Sequence, residues 1–288
     1  MTNYLNEKVI VVTGAAGGFG QLVCEKTAAL GARIIAADIN SAGLAEVVDG
    51  IMSNGGQAIA VKTDVTNRED MHNLASAAVD HFGRIDVMLN NAGIMPLAFY
   101  SDHKAAADAW ERCIDINFKG VLNGIAAVHD QMIKQGRGHV VNIASIYGNY
   151  PSAGGGVYGA TKAAVVFLSE SLRMESQGKI KVTTVRPTGV PATGLGSGIV
   201  NPEAVSGLLG SNTAAYLSKF EAAAAGQAVS LTAVNFIFCN ASMPVFDAWL
   251  SLSLIPFFPV EGLLCPSPIA AAQLVQFNPI HLFFVSAL

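Results

Sequence analysis

A tyrosine and a lysine, Tyr158 and Lys162, stand four residues apart in the run Y-G-A-T-K. On a helix, residues at i and i+4 project from one face, so this ammonium can lie near the phenol. A phenol, with an ordinary pKa of about 10, is a poor base near neutral pH, and a nearby cation favours its ionised form. An isolated pair of this kind is ordinarily a surface feature. Its meaning therefore depends on the motifs that accompany it.

The first of these motifs is a glycine-rich turn, T-G-A-A-G-G-F-G, which runs from Thr13 to Gly20 between an apolar strand and a helical pattern. Glycines let a backbone approach a pyrophosphate closely, and the free N–H groups of a helix start face it. About twenty residues later, the second strand ends at Asp38. A carboxylate there accepts hydrogen bonds from ribose hydroxyls and repels a 2′-phosphate, so the sequence favours NAD over NADP.

Polar residues also follow the next predicted strands. Asp64-Val65 follows the third, Asn90-Asn91-Ala92-Gly93 follows the fourth, and Ser145 ends the fifth. The carboxyl ends of parallel strands meet at one edge of a sheet, where ligands bind in this architecture. We therefore expect these residues to lie near the glycine-rich turn.

The elements that position them alternate between short β-branched runs and longer amphipathic patterns, which is typical of βαβ units. The fold class predicted is α/β, a Rossmann-type doubly wound parallel sheet, in a single domain. The predicted strands are Val9–Val12, Arg33–Ala37, Ala58–Lys62, Asp86–Leu89, His139–Ile143 and Lys181–Val185, and the predicted helices are Gln21–Leu30, Arg68–Phe82, Ala105–Lys134 and Tyr158–Gln177.

Taken in order, these motifs resemble those of the classical short-chain dehydrogenase/reductase family, from about Lys8 to Pro187. The resemblance implies an NAD(P)-dependent alcohol dehydrogenase or carbonyl reductase that interconverts a secondary alcohol and a ketone. It assigns four catalytic residues. Tyr158 would be the general acid/base, Lys162 would favour the ionised tyrosine and hold the nicotinamide ribose, Ser145 would polarise the carbonyl, and Asn117 would support a water that links Lys162 to bulk solvent.

The resemblance also assigns residues to each part of the cofactor. They are Gly14, Gly18, Phe19 and Gly20 for the pyrophosphate, Asp38 for the adenine ribose, Asp64 and Val65 for the adenine, Asn91, Ala92 and Gly93 for the nicotinamide ribose, and Val190 after the sixth strand, with Tyr158 and Lys162 also contacting the cofactor. Family members that prefer a 2′-phosphate usually carry a basic residue in the glycine-rich turn or just after the second strand. Gly17 and Ile39 stand there instead, so NAD is expected and NADP is the lesser alternative.

The C-terminal part departs from the family pattern. Thr188 replaces a glycine after the sixth strand, Thr193 comes one residue late, and no charged helix or last strand is legible. All 17 Lys and Arg residues lie at or before Lys219. Residues 1–193 are the predicted core, and 194–288 form a substrate-side segment and an atypical apolar tail of the same domain.

Three interpretations of this tail stay open: an apolar lid or oligomer face, a membrane-associated segment, or a C-terminus altered by a change of reading frame. Six prolines interrupt it, at positions 244, 256, 259, 266, 268 and 279. A membrane-spanning helix needs about 20 apolar residues without such breaks. The composition therefore argues against a transmembrane anchor.

Composition also excludes some partners and sites. A net charge of −4 without a basic run argues against nucleic acid as a partner. The four cysteines lie far apart and form no C-x-x-C pair, which indicates reduced thiols and no metal framework. The N-terminus lacks the features of a secretory signal, so we expect a cytoplasmic protein.

Two function classes remain at this point. One is an enzyme, expected to be a homo-oligomer (dimer or tetramer), that acts on a hydrophobic ketone or alcohol. Ile94, Met95, Leu97 and Phe99 would line its mouth, although the same residues could simply pack the loop. The other class is a non-catalytic dinucleotide-binding sensor or interaction protein of the same fold. The presence of Ser145 and Tyr158 favours the enzyme, because binding alone needs neither hydroxyl.

Overall fold

The computed structural model describes residues 4–187, 194–214, 218 and 252–253. Its strands form one parallel sheet in the order β3-β2-β1-β4-β5-β6-β7. The strands are β1 Val9–Thr13, β2 Arg33–Asp38, β3 Gln57–Lys62, β4 Val87–Asn90, β5 Gly138–Ile143, β6 Ile180–Arg186 and β7 Leu252–Ser253. The chain reverses its direction of travel across the sheet between β1 and β4, as in a doubly wound fold. The predicted fold class is confirmed.

The helices flank this sheet. They are α1 Gly18–Ala28, α2 Ser41–Ser53, α3 Arg68–Phe82, α4 His103–Ile114, α5 Gly120–Gln135, α6 Gly156–Glu175 and α7 Glu203–Leu209. A π-helical turn, Asp115–Lys119, joins α4 to α5, so the long helix predicted from Ala105 to Lys134 is one helical path with a wider turn in its middle. The sequence analysis did not predict α2, α7 or the short strand β7, which pairs with Val185 and Arg186.

Helix ends follow local sequence signals. The Asn40 side chain accepts a hydrogen bond from Gly43 N and begins α2, and Asn67 does the same for Glu69 N at the start of α3. Gly83 ends α3 with φ of +77°, a left-handed conformation that costs glycine little.

The core lies on both faces of the sheet because successive strand residues point to opposite sides. On β1, Ile10 and Val12 pack with the cluster under α1 and α2, whereas Val9 and Val11 pack with the cluster under α3 and α5. Burial on both faces explains why the strands are apolar at consecutive positions. It also leaves the carboxyl ends of the strands as the place where polar residues gather.

At the opposite edge of the sheet, a buried carboxylate joins two strands. Asp86 Oδ2 accepts a hydrogen bond from Val9 N at 3.0 Å, and its other oxygen pairs with Arg84 and, at 3.6 Å, with Lys8 Nζ. This carboxylate ties the start of β1 to the start of β4.

Several predictions fall on residues 188–193 and on the chain after residue 214, which lie almost wholly outside the described part. They concern Val190, Thr188, Thr193 and the apolar tail. Within the residues that the structure describes, no helix has the length and apolar character to cross a membrane. The same residues contain no group of three or more His, Cys, Asp or Glu that could hold a metal ion.

Candidate active site

The glycine-rich turn forms a cradle at the end of β1. Gly14 adopts a φ of +67°, and a Cβ on Gly20 would overlap the Gly14 carbonyl oxygen, so the turn and the start of α1 can approach only without side chains. The residue before α1 is Gly17, which has no side chain to cap the helix, and a Cβ there would meet nothing within 4 Å. The start of α1 therefore has no side-chain cap and follows an exposed glycine, which fits the binding of a pyrophosphate.

The Asp38 carboxylate lies against this turn. Its Oδ2 accepts a hydrogen bond from Ala16 N at 3.1 Å, and its Oδ1 accepts one from Asn40 N at 3.0 Å. The next residue, Ile39, is exposed and carries no charge. The structure thus brings the predicted ribose-binding acid and the pyrophosphate turn together, with an apolar side chain after the acid.

The loop after β4 is tied to the same turn by Thr13. Thr13 Oγ1 accepts hydrogen bonds from Asn91 N at 3.0 Å and Ala92 N at 3.2 Å. In return, Asn91 Nδ2 donates to Thr13 O at 2.9 Å and to Gly14 O at 3.1 Å. The sequence analysis gave Thr13 no role. A hydroxyl on the last residue of a strand, at the edge where ligands bind, was the available signal.

Asp64 and Val65 lie after β3 at this edge, but both have hydrogen-bond partners within the protein. Asp64 Oδ1 accepts hydrogen bonds from Thr66 N at 2.9 Å and from Thr66 Oγ1 at 2.8 Å. Val65 is buried, and its carbonyl accepts a hydrogen bond from Asn123 Nδ2 at 2.9 Å. A role in binding adenine stays a prediction for both residues.

Tyr158 and Lys162 lie on α6, buried to 4% and 5% exposure, and the Lys162 Nζ is 5.8 Å from the centre of the Tyr158 ring. The backbone of α6 packs very closely on the turn that begins at Ser145. A Cβ on Gly159 would lie 2.7 Å from Tyr147 O, and one on Gly148 would lie 2.8 Å from the carbonyl carbon of Lys162. These two glycines allow α6 to carry its tyrosine and lysine to the end of β5.

Ser145 is buried at that end, and its Oγ accepts a long hydrogen bond of 3.3 Å from Tyr147 N. Lys162 Nζ donates to Ile143 O, two residues before Ser145, at 2.8 Å. Burial lowers the pKa of Lys162 to about 8, because its charge is held in a site with little solvent. The site therefore holds a cation that the protein stabilises less well than water does.

Asn117 lies in the π-helical turn, fully buried, and pairs with the backbone of the loop after β4. Its Oδ1 accepts from Ile94 N and its Nδ2 donates to Ile94 O, both at 2.9 Å. A Cβ on Gly93 would lie 3.1 Å from Asn117 Oδ1 and 3.5 Å from Lys162 Nζ. The structure thus brings Gly93, Asn117 and Lys162 into one cluster.

Two residues that the sequence analysis missed complete this cluster. Asn117 Nδ2 also donates to Thr161 Oγ1 at 3.2 Å and to the sulfur of Cys113 at 3.3 Å. Both are buried, and burial raises the pKa of the Cys113 thiol. Cys113 is four residues before Asn117 on the same helical path, whereas Thr161 meets Asn117 only through the packing of α6 against the π-helical turn.

The apolar residues after the N-N-A-G motif pack against α6 and α7. Leu97 is fully buried and Met95 nearly so, in a cluster with Tyr158 and Leu208. Leu97 O accepts hydrogen bonds from Val200 N at 3.1 Å and Asn201 N at 3.0 Å. Ile94 and Phe99 are partly buried against the same cluster. Of the four residues predicted to line the mouth, these two retain exposed surface.

The family model described as short chain dehydrogenase matches residues 8–203. The chain belongs to the short chain dehydrogenase family. The expected family is confirmed, and the match covers the glycine-rich turn, the four proposed catalytic residues and all six predicted strands. An uncharacterized oxidoreductase of Listeria monocytogenes is 43% identical over 189 residues, which are 65% of this chain and 75% of the relative.

Two solved structures of similar proteins carry different cofactors. A short chain dehydrogenase/reductase from Burkholderia phymatum, in complex with NAD, has a TM-score of 0.69 and 29% identity, and the alignment covers 82% of this chain and 86% of that one. A metagenomic short-chain oxidoreductase in complex with NADP has a TM-score of 0.60 and 32% identity, over 64% and 83% of the two chains. The neighbours thus bind NAD or NADP.

Proposed function

We propose that this short chain dehydrogenase is an NAD-dependent oxidoreductase that interconverts a secondary alcohol and a ketone. One observation carries the proposal: the buried Tyr158–Lys162 pair lies on a helix that packs against the turn beginning at Ser145, and Lys162 donates to Ile143 O at the end of the same strand. A buried lysine is costly to keep in a protein that only binds a nucleotide. The alternative, a non-catalytic sensor or interaction protein, requires neither the phenol nor the buried lysine.

In this proposal the chain holds the dinucleotide along the edge of the sheet. The glycine-rich turn and the start of α1 bind the pyrophosphate, Asp38 binds the adenine ribose, and the Asn91–Gly93 backbone and Lys162 hold the nicotinamide ribose. The bound nicotinamide supplies or accepts the hydride. The closeness of Gly93 to Lys162 Nζ supports the binding of the same ribose by both groups.

Tyr158 handles the proton. In the direction of oxidation, its phenolate accepts the proton of the substrate hydroxyl, while the carbon that bears this hydroxyl loses a hydride. The product is a ketone. In reduction, the phenol donates that proton to the carbonyl oxygen as the carbon gains the hydride. The Lys162 ammonium stabilises the phenolate, and the Ser145 hydroxyl donates a hydrogen bond to the substrate oxygen. Asn117 would support the water through which Lys162 exchanges its proton with solvent.

NAD is the proposed cofactor because Asp38 would face a 2′-phosphate, and neither Gly17 in the glycine-rich turn nor Ile39 after the second strand supplies a cation there. Like charges at about 4 Å repel by about 4 kcal/mol at the effective dielectric near a protein surface, before salt screening. Titration of the purified protein with NADH and NADPH, followed by nicotinamide fluorescence, tests this preference. Tighter binding of NADPH would refute it.

We infer that the substrate is largely apolar and that the protein is a cytoplasmic homo-oligomer. Ile94 and Tyr147, which are partly buried in the apolar cluster that contains Tyr158, support the first point. Phe167 and Met174 support self-association, because α6 exposes them to 75% and 73%. Sedimentation of the wild type and of a Phe167→Ser variant tests the assembly.

The activity itself is tested with a panel of ketones and secondary alcohols, monitored by the absorbance of NADH. Tyr158→Phe is the matched variant, since it removes only the hydroxyl. We expect turnover in the wild type, its loss in Tyr158→Phe, and similar NADH binding in both. Turnover that survives unchanged in Tyr158→Phe would contradict the mechanism, and NADH binding without turnover on any substrate would favour the sensor.

A further inference from the structure

Thr161 lies between the proposed general acid/base and the proposed lysine, and its hydroxyl has two close partners and a longer contact of 3.9 Å with Cys113 Sγ. Its Oγ1 donates to Tyr158 O at 2.8 Å. A hydroxyl has one hydrogen, so the atom can offer only its lone pairs to other neighbours. The neighbour that faces them is Asn117 Nδ2, at 3.2 Å. Thr161 therefore acts as an acceptor toward Asn117.

This acceptor, together with the N–H and C=O groups of Ile94, favours one of the two orientations of the Asn117 amide. In the orientation present, Oδ1 faces Ile94 N and Nδ2 faces Ile94 O and Thr161 Oγ1. A flipped amide would set its oxygen against the Thr161 oxygen and its NH2 group against the Ile94 N–H. Cys113 sulfur, at 3.3 Å from Nδ2, is a weak acceptor and selects little by itself.

The orientation matters because Asn117 fixes the end of the loop that lies beside Lys162. The far end of this loop is held by Thr13 through Asn91 N and Ala92 N. Its near end, Gly93–Ile94, is held by the two hydrogen bonds of Asn117, and Gly93 approaches Lys162 Nζ closely. A rotated amide would release the near end and leave the far end in place.

We propose that Thr161 is a positioning residue, whose hydroxyl sets the Asn117 amide and thereby holds the Gly93–Ile94 backbone where the nicotinamide ribose binds. This inference rests on the proposed dinucleotide-binding function. It predicts a defect confined to the nicotinamide half of the cofactor. Recognition of the adenosine diphosphate half, which the glycine-rich turn and Asp38 provide, is unaffected.

The fold offers a closely matched control on the same helix. Ser169 Oγ is also buried, donates to the carbonyl of Val165 at 2.7 Å, and accepts from Asn142 Nδ2 at 2.9 Å. Removing the Ser169 hydroxyl takes one acceptor from the Asn142 amide, just as removing the Thr161 hydroxyl takes one from the Asn117 amide. Ser169, however, has no contact with the loop after β4 among its hydrogen bonds. Ser169→Ala therefore reports the general cost of the lost hydroxyl.

The experiment measures dissociation constants for NADH and ADP by isothermal titration calorimetry in the wild type, Thr161→Val, Thr161→Ser and Ser169→Ala. We expect Thr161→Val to weaken NADH by about three- to tenfold, as the loss of one buried hydrogen bond implies, and to leave ADP unchanged. Thr161→Ser keeps the hydroxyl and should bind NADH like the wild type. Ser169→Ala should lower the melting temperature and leave both constants unchanged.

Three results would overturn the proposal: wild-type NADH affinity in folded Thr161→Val, an equal loss of NADH and ADP binding in that variant, or the same NADH defect in Ser169→Ala. If Thr161→Val does not fold, the same titrations are made with Thr161→Cys, because this variant replaces the oxygen acceptor with a weakly accepting sulfur. A wild-type protein that binds neither NADH nor ADP would instead refute the proposed function, and this inference with it.

Discussion

Replacement of Lys162 by methionine should stabilise the protein near neutral pH while it abolishes the proposed activity. The pKa of Lys162 falls from its ordinary 10.5 to about 8 on folding, because the ammonium is buried. At about 1.4 kcal/mol per pH unit, the buried charge costs about 3 kcal/mol when the lysine is protonated in both states. Methionine has a similar length and carries no charge.

The net gain is smaller, because Lys162 Nζ also donates to Ile143 O at 2.8 Å. Methionine leaves that carbonyl without this donor, at a cost of about 1 kcal/mol. We therefore expect Lys162→Met to be about 2 kcal/mol more stable than the wild type at pH 7.

The difference should also depend on pH, with a definite sign. Between about pH 8 and 10.5 the unfolded wild type binds the lysine proton and the native wild type does not, so its free energy of unfolding rises with pH relative to the variant. The advantage of Lys162→Met should disappear, and then reverse, as pH 10.5 is approached. Urea unfolding of both proteins at several pH values between 7 and 10.5 measures this, and titrations common to both cancel in the difference. A variant that is less stable at pH 7, or a difference that does not change with pH, would refute the argument from burial.

Three further predictions concern contacts elsewhere in the fold. Gly124→Ala should destabilise the protein by about 1–3 kcal/mol in urea unfolding, because the added Cβ would overlap the buried Asn90 Oδ1; an unchanged free energy of unfolding would show that Asn90 can move freely. Asp86→Ala should cost about 1–3 kcal/mol, and Asp86→Asn less, because the asparagine oxygen can still accept from Val9 N; equal losses would mean that the ion pairs dominate. Asp38→Ala should narrow the preference for NADH over NADPH in fluorescence titrations. It should also weaken the binding of NADH, since the Ala16 N–H of the glycine-rich turn loses its acceptor. Unchanged NADH binding would show that the hydrogen bond between Ala16 N and Asp38 does not support the turn.

The strands were predictable because apolar β-branched runs and the turns between them are local signals. α3 begins and ends at its predicted residues, Arg68 and Phe82, since Asn67 caps its start and Gly83 ends it. α2 went unpredicted although the sequence carries its signals: Asn40 caps its start, and Leu44, Val47 and Ile51 have helical spacing. β7 has only two residues, and it lies in the run L-S-L-S-L, whose alternation is a strand signal that the sequence analysis did not use.

The candidate site also contains residues that a short motif marks and residues that only the fold brings together. The glycine-rich turn, Asp38 and the Tyr158–Lys162 spacing are visible in the sequence because each belongs to a short motif. Thr13 and Thr161 are not, because each acts on a residue far along the chain: Thr13 on Asn91, and Thr161 on Asn117. Such contacts depend on how β1 meets β4 and how α6 crosses the π-helical turn, which no local pattern specifies.

The central claim is that the chain transfers a hydride to a substrate carbon while Tyr158 supplies the proton. The most direct test is a single turnover with NADH deuterated at nicotinamide C4, using the best ketone of the panel, with the product analysed by mass spectrometry. The account predicts one deuterium on the carbinol carbon of the product for the wild type, and no transfer in Tyr158→Phe at equal occupancy with NADH. Product without deuterium from either C4-labelled face, or full transfer in Tyr158→Phe, would contradict it.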